Sequence, residues 1–462
     1  MLPAAPPGVQ ISFAASVSRG GQLQPLDRAR VCCDNTAMFK RISLAALLIC
    51  AFTSHAADYT LHSFKKITIT KEFLCEGAHF GDFNHDGKMD IVAGPYWFAG
   101  PDYKQRHEFT KPADKAYDPA KGYSDYFLTY VHDFNGDGWA DILVYSWPGK
   151  ETAWYENPKG ADGHWKRHVI FDVTDNESPQ LGDMNGDGKP ELIVHTGGRL
   201  GYAELDWSDT TKPAKFRAIS PQDNKKYFRY THGYGFGDLQ GNGRPAILER
   251  DGWWEQPADK HSTNEWIFHA VPFAPAGLRG GGQMLTYDVN GDGLLDVITS
   301  WDAHGYGLAW YEQQRVGGEI KFKEHVFMNN KPEHNRYGVK FSQLHSQFLV
   351  DMDGDGVKDI VTGKRFWAHG PAGDAEPGAP AVLYWFQIKR AKDGSVDFIP
   401  HLIDDDSGVG TQVTAGDVNG DGLPDVIVGN KKGVFVFLHE TKKVSREEWE
   451  KAQPKPIEPA AK

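Results

Sequence analysis

The sequence predicts an all-β protein, a seven-bladed β-propeller of four-stranded blades, closed by an N-terminal strand that completes the last blade. An acidic nine-residue motif occurs seven times, beginning at residues 82, 133, 183, 238, 288, 351 and 417. Repetition at a period of roughly 50–66 residues, with strand-like content, is typical of propeller blades. The 51 glycines and the 13% aromatic content favour short strands joined by tight turns.

The first 57 residues are predicted to precede the folded domain. A basic segment at 38–41, the apolar run Ile42–Phe52 and small residues up to Ala57 follow in the order of a secretory signal peptide. Cleavage near Ala57 would make the protein secreted or periplasmic. Translation is expected to begin at Met38, and the sequence also leaves Met1 open as the start. The apolar run is too short to span a bilayer, and no membrane span is predicted elsewhere.

The net charge and the cysteine content limit the binding partners and the cross-links that are expected. The formal net charge of −12 gives no electrostatic support for nucleic-acid binding. Only Cys75 of the 4 cysteines lies beyond the predicted cleavage site, so the mature chain can form no internal disulfide. Bound cations are expected to stabilise the loops instead.

Each repeat unit contains four predicted strands. The first leads into the acidic loop, the second leaves it as in Asp141–Val144, the third is aromatic as in Ala153–Glu156, and the fourth carries a histidine. We interpret these histidines as a structural feature of the repeat, because equivalent positions in separate blades lie far apart. They are His168, His269, His325 and His401.

The last unit lacks its own fourth strand. Phe64–Ile69 has the same form as Trp165–Ile170, so this N-terminal strand is predicted to complete blade seven and protect its edge. The propeller is predicted to cover 58–443. A capping-box pattern, Ser445-x-x-Glu448, predicts a short helix within 444–462, followed by a disordered tail.

The acidic motif carries oxygen ligands at positions 1, 3, 5 and 9 and glycine at position 6. Ca2+ takes six to eight oxygen ligands, and glycine permits the sharp turn that brings them together. An EF-hand would need glutamate at position 12, where the first copy has Ala93. Ordinary hairpin turns would not require the repeated acidic spacing.

We therefore predict up to six Ca2+ sites. Their predicted ligands are Asp82, Asn84, Asp86, Asp90; Asp133, Asn135, Asp137, Asp141; Asp183, Asn185, Asp187, Glu191; Asp288, Asn290, Asp292, Asp296; Asp351, Asp353, Asp355, Asp359; and Asp417, Asn419, Asp421, Asp425. The fourth copy has Asp238, Gln240, Asn242 and Ala246 at these positions, and Ca2+ is not expected there.

The motif Asp-x-Asn-x-Asp-Gly-x-x-Asp-Ile-Val resembles the VCBS/FG-GAP repeat family, and integrin α-subunit propellers are similar. The likeness covers nearly all of 58–440 and implies Ca2+ binding at positions 1, 3, 5 and 9. A weaker likeness, in the segment Trp154–Pro158, is to the propeller domain of aldos-2-ulose dehydratase, whose cupin domains this chain lacks. The family includes adhesion modules and carbohydrate-active enzymes, so the fold does not fix the function.

The face opposite the acidic loops is predicted to carry the functional site. The extra length of units five and six falls at 301–307, 327–341 and 365–380, and long loops on a rigid scaffold are where function concentrates. Aromatic rings there could stack on sugars, and polar side chains could bind hydroxyls. The predicted ligand-binding residues are His232, Gln283, Trp301, His304, His345, Arg365 and Trp367.

Three hypotheses follow for this face. The first is a glycan-binding or protein-binding adhesion module. The second is a lyase or dehydratase acting on keto-sugars or uronic polymers, with His232 or His345 as base and Arg365 stabilising charge. The third is a structural spacer, against which the long insertions count. His232, His304 and His345 could also bind Zn2+.

Overall fold

Short strands that alternate with tight turns dominate the computed structural model, which describes residues 59–457 except 260, 261, 263 and 264. These residues form seven antiparallel sheets of four strands each, arranged as blades. The prediction of an all-β, seven-bladed β-propeller is confirmed. The predicted upstream segment and signal peptide (1–57) and the end of the tail (458–462) lie outside the described residues.

Blades one to three occupy the first half of the propeller. Their strands are β2 Ala78–Gly81, β3 Asp90–Ala93, β4 Tyr96–Phe98 and β5 Arg106–Glu108; β6 Leu128–His132, β7 Asp141–Tyr145, β8 Lys150–Glu156 and β9 Lys166–Thr174; and β10 Gln180–Gly182, β11 Glu191–Thr196, β12 Arg199–Glu204 and β13 Lys215–Ala218. In these three blades the strand order follows the chain.

Blades four to seven repeat the pattern. Their strands are β14 Gly235–Gly237, β15 Ala246–Glu249, β16 Gly252–Glu255 and β17 Ile267–Ala270; β18 Met284–Tyr287, β19 Asp296–Ser300, β20 Leu308–Val316 and β21 Glu319–Met328; β22 Gln347–Val350, β23 Asp359–Gly363, β24 Leu383–Arg390 and β25 Val396–Asp404; and β26 Val413–Gly416, β27 Asp425–Asn430 and β28 Gly433–Val444. A 3-10 turn, Pro332–His334, lies in the connection between blades five and six.

The N-terminal strand closes the ring, as predicted. β1, Tyr59–Thr70, pairs antiparallel with β28 from Tyr59 opposite Val444 to Thr70 opposite Val434, and becomes the outermost strand of blade seven. The first strand of blade seven, β26, lies beside β2 of blade one. Joining the two chain ends in one sheet leaves the last blade with a complete set of four strands.

The core lies between neighbouring blades. Ile298 and Trp310 of blade five pack in one buried cluster with Ile360 and Phe386 of blade six. Because both faces of each sheet are covered, the second strands are continuous apolar runs, and every residue of β7 and β23 is buried. Complete burial of each such aliphatic side chain stabilises the fold by about 1.5–3 kcal/mol.

The repeated histidines of the fourth strands pack against the third strands. His168 stacks on Trp154 with ring centroids 4.5 Å apart, and His269 stacks on Trp253 at 4.0 Å. His325 and His401 stack in the same way on the tryptophans of blades five and six. The histidines therefore serve blade packing in separate parts of the ring.

A short helix, α1, follows the last strand. α1 spans Arg446–Ala452, and the Ser445 side chain accepts a hydrogen bond from the Glu448 backbone N–H at its start. The Trp449 ring lies 5.2 Å from that of Tyr59, which places the helix against the closing strand. Within the described residues, no helix has both the length and the hydrophobicity that a membrane span requires.

Candidate functional site

Strand order separates two faces of the propeller. Each acidic loop joins the first and second strands of a blade, so all seven loops emerge on one face, which we call the acidic-loop face. The segments before each first strand and after each second strand lie at the opposite ends of the same strands. We call that side the central face, because its segments converge near the propeller axis.

Each acidic loop forms a set of hydrogen bonds within itself, besides those to neighbouring segments. In the first loop, Asp82 Oδ2 accepts from the Gly87 N–H at 3.0 Å, and Asn84 Oδ1 accepts from the Asp86 N–H at 2.9 Å. Gly87 has a φ of 81°, in the left-handed region that a side chain would disfavour. Asp90 accepts from the Phe83 N–H at 2.9 Å, which ties the end of the loop to its beginning.

The carboxylates at position 9 are buried and perturbed. Burial, with the neighbouring loop carboxylates, raises the pKa of Asp90 to about 6, of Asp141 to about 7 and of Asp359 to about 8. The same causes raise the pKa of Glu191 to about 7, and of Asp296 and Asp425 to about 6. A bound cation would favour the ionised form of each, so the oxygen donor set fits Ca2+.

The blade-four loop forms the same turn, although it has no carboxylate at positions 3, 5 and 9. Asn242 N–H donates to Asp238 Oδ1 at 3.0 Å, and Gly243 N–H donates to Asp238 Oδ2 at 2.6 Å. Ala246 is buried where the other loops have a carboxylate. The turn itself therefore needs only the first aspartate, and the additional carboxylates of the other loops have another use.

Three buried histidines meet on the central face. His232 precedes β14, His304 follows β19, and His345 precedes β22, so blades four, five and six each supply one. One ring nitrogen from each lies within 4.8 Å of the others. The rings meet edge to face, with centroids 4.7–5.3 Å apart. The structure thus brings together four of the seven predicted ligand-binding residues, because Arg365 and His232 both contact Glu177.

Buried charges surround these histidines. Glu177 Oε2 lies 3.1 Å from His232 Nε2 and 3.7 Å from an Arg365 nitrogen. The same guanidinium lies 3.1 Å from Glu76 Oε2, and Asp374 Oδ1 lies 3.3 Å from His304 Nδ1. We call this set, from Glu76, Glu177, His232, His304, His345, Arg365 and Asp374, the central cluster. Arg365 and Glu76 are 2% and 0% exposed, so water contributes little to their solvation.

Burial and neighbouring charges shift the pKa values of Glu177 and His304 in opposite directions. Burial disfavours ionisation of Glu177, but His232 and Arg365 outweigh it and hold the pKa of Glu177 at about 2. Burial lowers the pKa of His304, although Asp374 opposes that shift. Burial, then the charges of Arg365 and the other two histidines, lowers the pKa of His345 well below its usual value. His345 is therefore a neutral imidazole at pH 7.

A cavity of about 600 Å³ opens above part of the cluster. His232, His304 and Glu177 line it, whereas His345 and Arg365 lie beneath the lining residues. Aromatic rings form one side of its rim. The Trp147 ring lies 4.2 Å from that of Tyr123 and 5.8 Å from that of Tyr230. The adjacent Phe228 is 51% exposed, which is unusual for a large apolar side chain.

The other predicted ligand-binding residues have structural contacts. Trp301 is buried in the core of blade five, and its indole N–H donates to Tyr311 Oη and Glu324 Oε1, both at 3.0 Å. Gln283 Oε1 accepts from the Gln347 N–H at 3.0 Å, which links blades five and six. Trp367 Nε1 donates to the Pro377 carbonyl at 3.2 Å. None of the three lines the cavity.

Sequence reasoning missed the three carboxylates of the cluster, Glu76, Glu177 and Asp374. Glu76 and Glu177 stand two or three residues before a first strand, as His345 and His232 do. Reading that position across all blades would have found both. Asp374 lies inside the insertion at 365–380, where no repeat pattern marks it.

A glycine allows the histidines to approach. A Cβ on Gly282 would lie 1.7 Å from the His345 carbonyl oxygen, a separation that no side chain tolerates. Gly282 therefore serves close packing of blade five against blade six, whereas Gly281 packs on Ser300 and Gly280 on Arg250.

Comparison with protein families identifies the repeats. The FG-GAP-like repeat family matches residues 133–194, and the FG-GAP repeat family matches residues 409–436. The first segment contains two acidic loops, 133–141 and 183–191, and the second contains one, 417–425, with strands β26 and β27 on each side of it. A comparison with curated proteins gives no match.

Three solved structures are similar over much of this chain. A Photorhabdus luminescens Tc holotoxin pore matches 68% of it at 15% identity with a TM-score of 0.36, and the match covers 14% of the toxin chain. An Agrocybe aegerita lectin that recognises non-reducing terminal N-acetylglucosamine matches 83% of it and 81% of the lectin at 16% identity, with a TM-score of 0.32.

Rhamnogalacturonan lyase YesW matches 82% of this chain and 72% of its own at 12% identity, with a TM-score of 0.38. Two repeat-family matches, seven four-stranded blades and the recurring acidic loop agree with one another. The chain is a seven-bladed β-propeller that contains FG-GAP-type repeats.

Proposed function

We propose that this protein is a secreted, calcium-stabilised propeller that binds a carbohydrate ligand in the cavity of the central face. The main support for this proposal is the set of side chains that line the cavity. Its rim presents Tyr123, Trp147, Phe228 and Tyr230, and its floor presents His232 and the Glu177 carboxylate. Aromatic faces suit the apolar faces of sugar rings, and a few placed polar groups fix orientation.

Calcium in the acidic loops is part of the same proposal. The predicted ligands at positions 1, 3, 5 and 9 of six loops would hold the ions, and each ion would join the two strands that flank its loop. Three carboxylates of the sixth loop, Asp351, Asp353 and Asp355, place their oxygens within 4.8 Å of one another. Such close anions repel without a cation. The signal-peptide pattern at 38–57 supports secretion, where millimolar Ca2+ is available.

A glycan array followed by titration calorimetry tests ligand binding. The variant Trp147→Ala removes a rim ring and is expected to weaken binding by about 0.5–1.5 kcal/mol, or roughly 2- to 12-fold. Trp139→Ala is the matched control, because Trp139 stacks on His85 on the acidic-loop face, with ring centroids 3.7 Å apart. Equal affinities of both variants for an array-selected glycan would contradict the proposed cavity.

A second candidate function is catalysis on acidic sugars, and a specific observation favours it. His232 lines the cavity with Glu177 behind it at 3.1 Å, which is the arrangement of a general base oriented by a carboxylate. Four cations also line the cavity: Lys225, Lys226, Arg250 and Arg279. Lys226 is paired with Glu249 and Arg250 with Asp251, as Arg365 is with Glu76 and Glu177. Lys225 and Arg279 could therefore bind a uronate carboxylate.

In this alternative, His232 would remove the proton next to a carbonyl or carboxylate of the sugar, and the leaving group would depart to form an unsaturated product. A screen of keto-sugars and uronic polymers for that product tests it. Turnover that is lost in His232→Ala and kept in His325→Ala would establish an enzyme. Glycan binding without any product leaves the binding function alone.

A further inference from the structure

We propose that His232, His304 and His345 form a binding site for one divalent transition-metal ion, of which Zn2+ is the best fit. This inference rests on the proposed function in that the site lies at the floor of the same cavity. The arrangement of the three histidines does not depend on any ligand bound in that cavity. The first observation is convergence: three imidazoles from three different blades place a nitrogen each within 4.8 Å of the others.

The distances are close to those of a metal site. Zn–N bonds of about 2.0–2.1 Å in tetrahedral geometry separate ligand nitrogens by about 3.3 Å. Each pair would therefore approach by at most about 1.5 Å when an ion binds, which small ring rotations supply. The edge-to-face arrangement, with interplanar angles of 71–89°, keeps the rings from stacking on one another.

The second observation is an unpartnered imidazole. His345 is 2% exposed, and neither of its ring nitrogens has a hydrogen-bond partner among the described residues. A buried polar side chain without a partner is rare in native proteins and indicates an additional bound group. A metal ion held by His345 would satisfy one of these nitrogens directly.

The third observation concerns the flanking carboxylates. Glu177 lies 3.1 Å from His232, and Asp374 lies 3.3 Å from His304. Carboxylates beside metal-binding histidines fix the ring orientation and raise the basicity of the ligand. The structure therefore supplies two of the three histidines with the support that metal sites use.

The type of donor atom indicates which ion would fit the site. Three imidazoles suit Zn2+ and related transition metals, whereas Ca2+ prefers oxygen ligands. A three-histidine set also leaves a coordination position for water or a ligand oxygen.

The test is Zn2+ titration of the mature, tag-free chain. The protein is stripped with chelator and then kept in excess Ca2+, so that the acidic loops do not take up Zn2+. We expect one Zn2+ per chain and a visible spectrum of tetrahedral cobalt when Co2+ is used instead. His345→Ala and His304→Ala should each weaken Zn2+ binding at least 100-fold, and Glu177→Gln should weaken it about 10- to 100-fold.

Two controls identify the site. His325→Ala alters a histidine on the fourth strand of blade five, which stacks on Trp310 outside the central cluster. This variant should leave Zn2+ binding unchanged. His369→Ala should also leave it unchanged, although His369, His304 and Asp374 form a second, more exposed group of metal-binding side chains. Loss of Zn2+ in His369→Ala but not in His345→Ala would place the ion in that group and overturn the proposal.

Failure of this inference is distinguishable from failure of the proposed function. A wild-type chain that folds by circular dichroism but binds no Zn2+ overturns the metal site, whatever glycans it binds. Stoichiometric Zn2+ that is lost in His345→Ala supports the site even if no glycan binds. If His345→Ala does not fold, His232→Ala gives the same decision, because His232 belongs to the three-histidine site and not to the group of His304, His369 and Asp374.

Discussion

The acidic-loop face and the central cluster are built on opposite principles. Each acidic loop is shaped by hydrogen bonds within nine residues, as between Asp82 and Gly87, and the chain repeats that solution in every blade. The central cluster takes single residues from several blades, and Glu76 lies 289 positions before the Arg365 that it pairs with. The first region is locally determined, and the second exists only when the ring has closed.

This difference has an energetic consequence. A change in one loop should remove one local contribution and leave the other six loops unaffected, because distant sites add independently. A change in the cluster should propagate, because its charges are buried and share partners. The following predictions test that contrast.

The largest effect is expected from Arg365→Met. It leaves Glu76 and Glu177 buried without their cation, and removal of one partner from a buried ion pair costs about 3–5 kcal/mol. Denaturant unfolding would measure it. Arg336→Met, which breaks an exposed pair with Asp397, should cost less than about 1 kcal/mol.

The double variant Arg365→Met with Glu76→Gln should recover part of the lost stability, since one of the two uncompensated charges is removed. If the free energy of unfolding of Arg365→Met is no lower than that of Arg336→Met, the buried charges of the central cluster do not depend on one another.

A smaller, local effect is expected from Asp355→Asn in the sixth loop. The change removes one ligand charge but keeps an acceptor for the Val357 N–H, which now lies 2.7 Å from Asp355 Oδ1. One site at 100 times its dissociation constant contributes about 2.7 kcal/mol, and this increment should be reduced. Thermal unfolding with and without Ca2+ measures it.

Asp238→Asn is the matched control, because the blade-four loop makes the same turn with a single carboxylate. Its response to Ca2+ should equal that of the wild type. Equal losses in both variants, or a wild-type chain indifferent to chelation, would argue that the loops are ordinary turns.

The smallest stability effect is expected when the pH is lowered, and it involves a histidine of an outer strand. Burial, with His62 nearby, lowers the pKa of His401 from 6.5 to about 4. The folded state then binds fewer protons than the unfolded state between these values, so stability falls as pH drops from 6.5 towards 4. At pH 5 the loss from this residue is about 2 kcal/mol.

His401→Gln should flatten the fall in unfolding free energy between pH 7 and 5, relative to wild type. His164→Gln serves as the comparison, because His164 is exposed and 3.4 Å from Glu108. An unchanged pH profile in His401→Gln would show that acid sensitivity arises in the loops or the cluster instead of the outer strands.

Sequence and structure agree best where the interactions are local. The period of the motif gave the number of blades, and the likeness of Phe64–Ile69 to a fourth strand gave the closure by β1. The repeated histidines are predicted to be a structural feature of the repeat, and they stack on tryptophans. Each of these features is set by residues that are neighbours in the chain or in one sheet.

The sequence was less informative about the central face. Position along a strand placed His232, His304, His345 and Arg365 on that face, but it could not distinguish them from Trp301, which turns into the core of blade five. Side-chain direction at a strand end depends on the twist of the blade and on what the neighbouring blade presents. The position two or three residues before a first strand marks Glu76 and Glu177 as well, but their pairing with Arg365 depends on ring closure.

By itself, the sequence determined an all-β chain of seven repeated units with an acidic turn in each, because hydrogen bonds and turn geometry within a few residues decide those features. Only the tertiary structure decided which side chains meet at the axis, because burial there is created by the other blades. The chemistry of the protein therefore depends on ring closure, which brings residues from distant parts of the chain into one low-dielectric cluster.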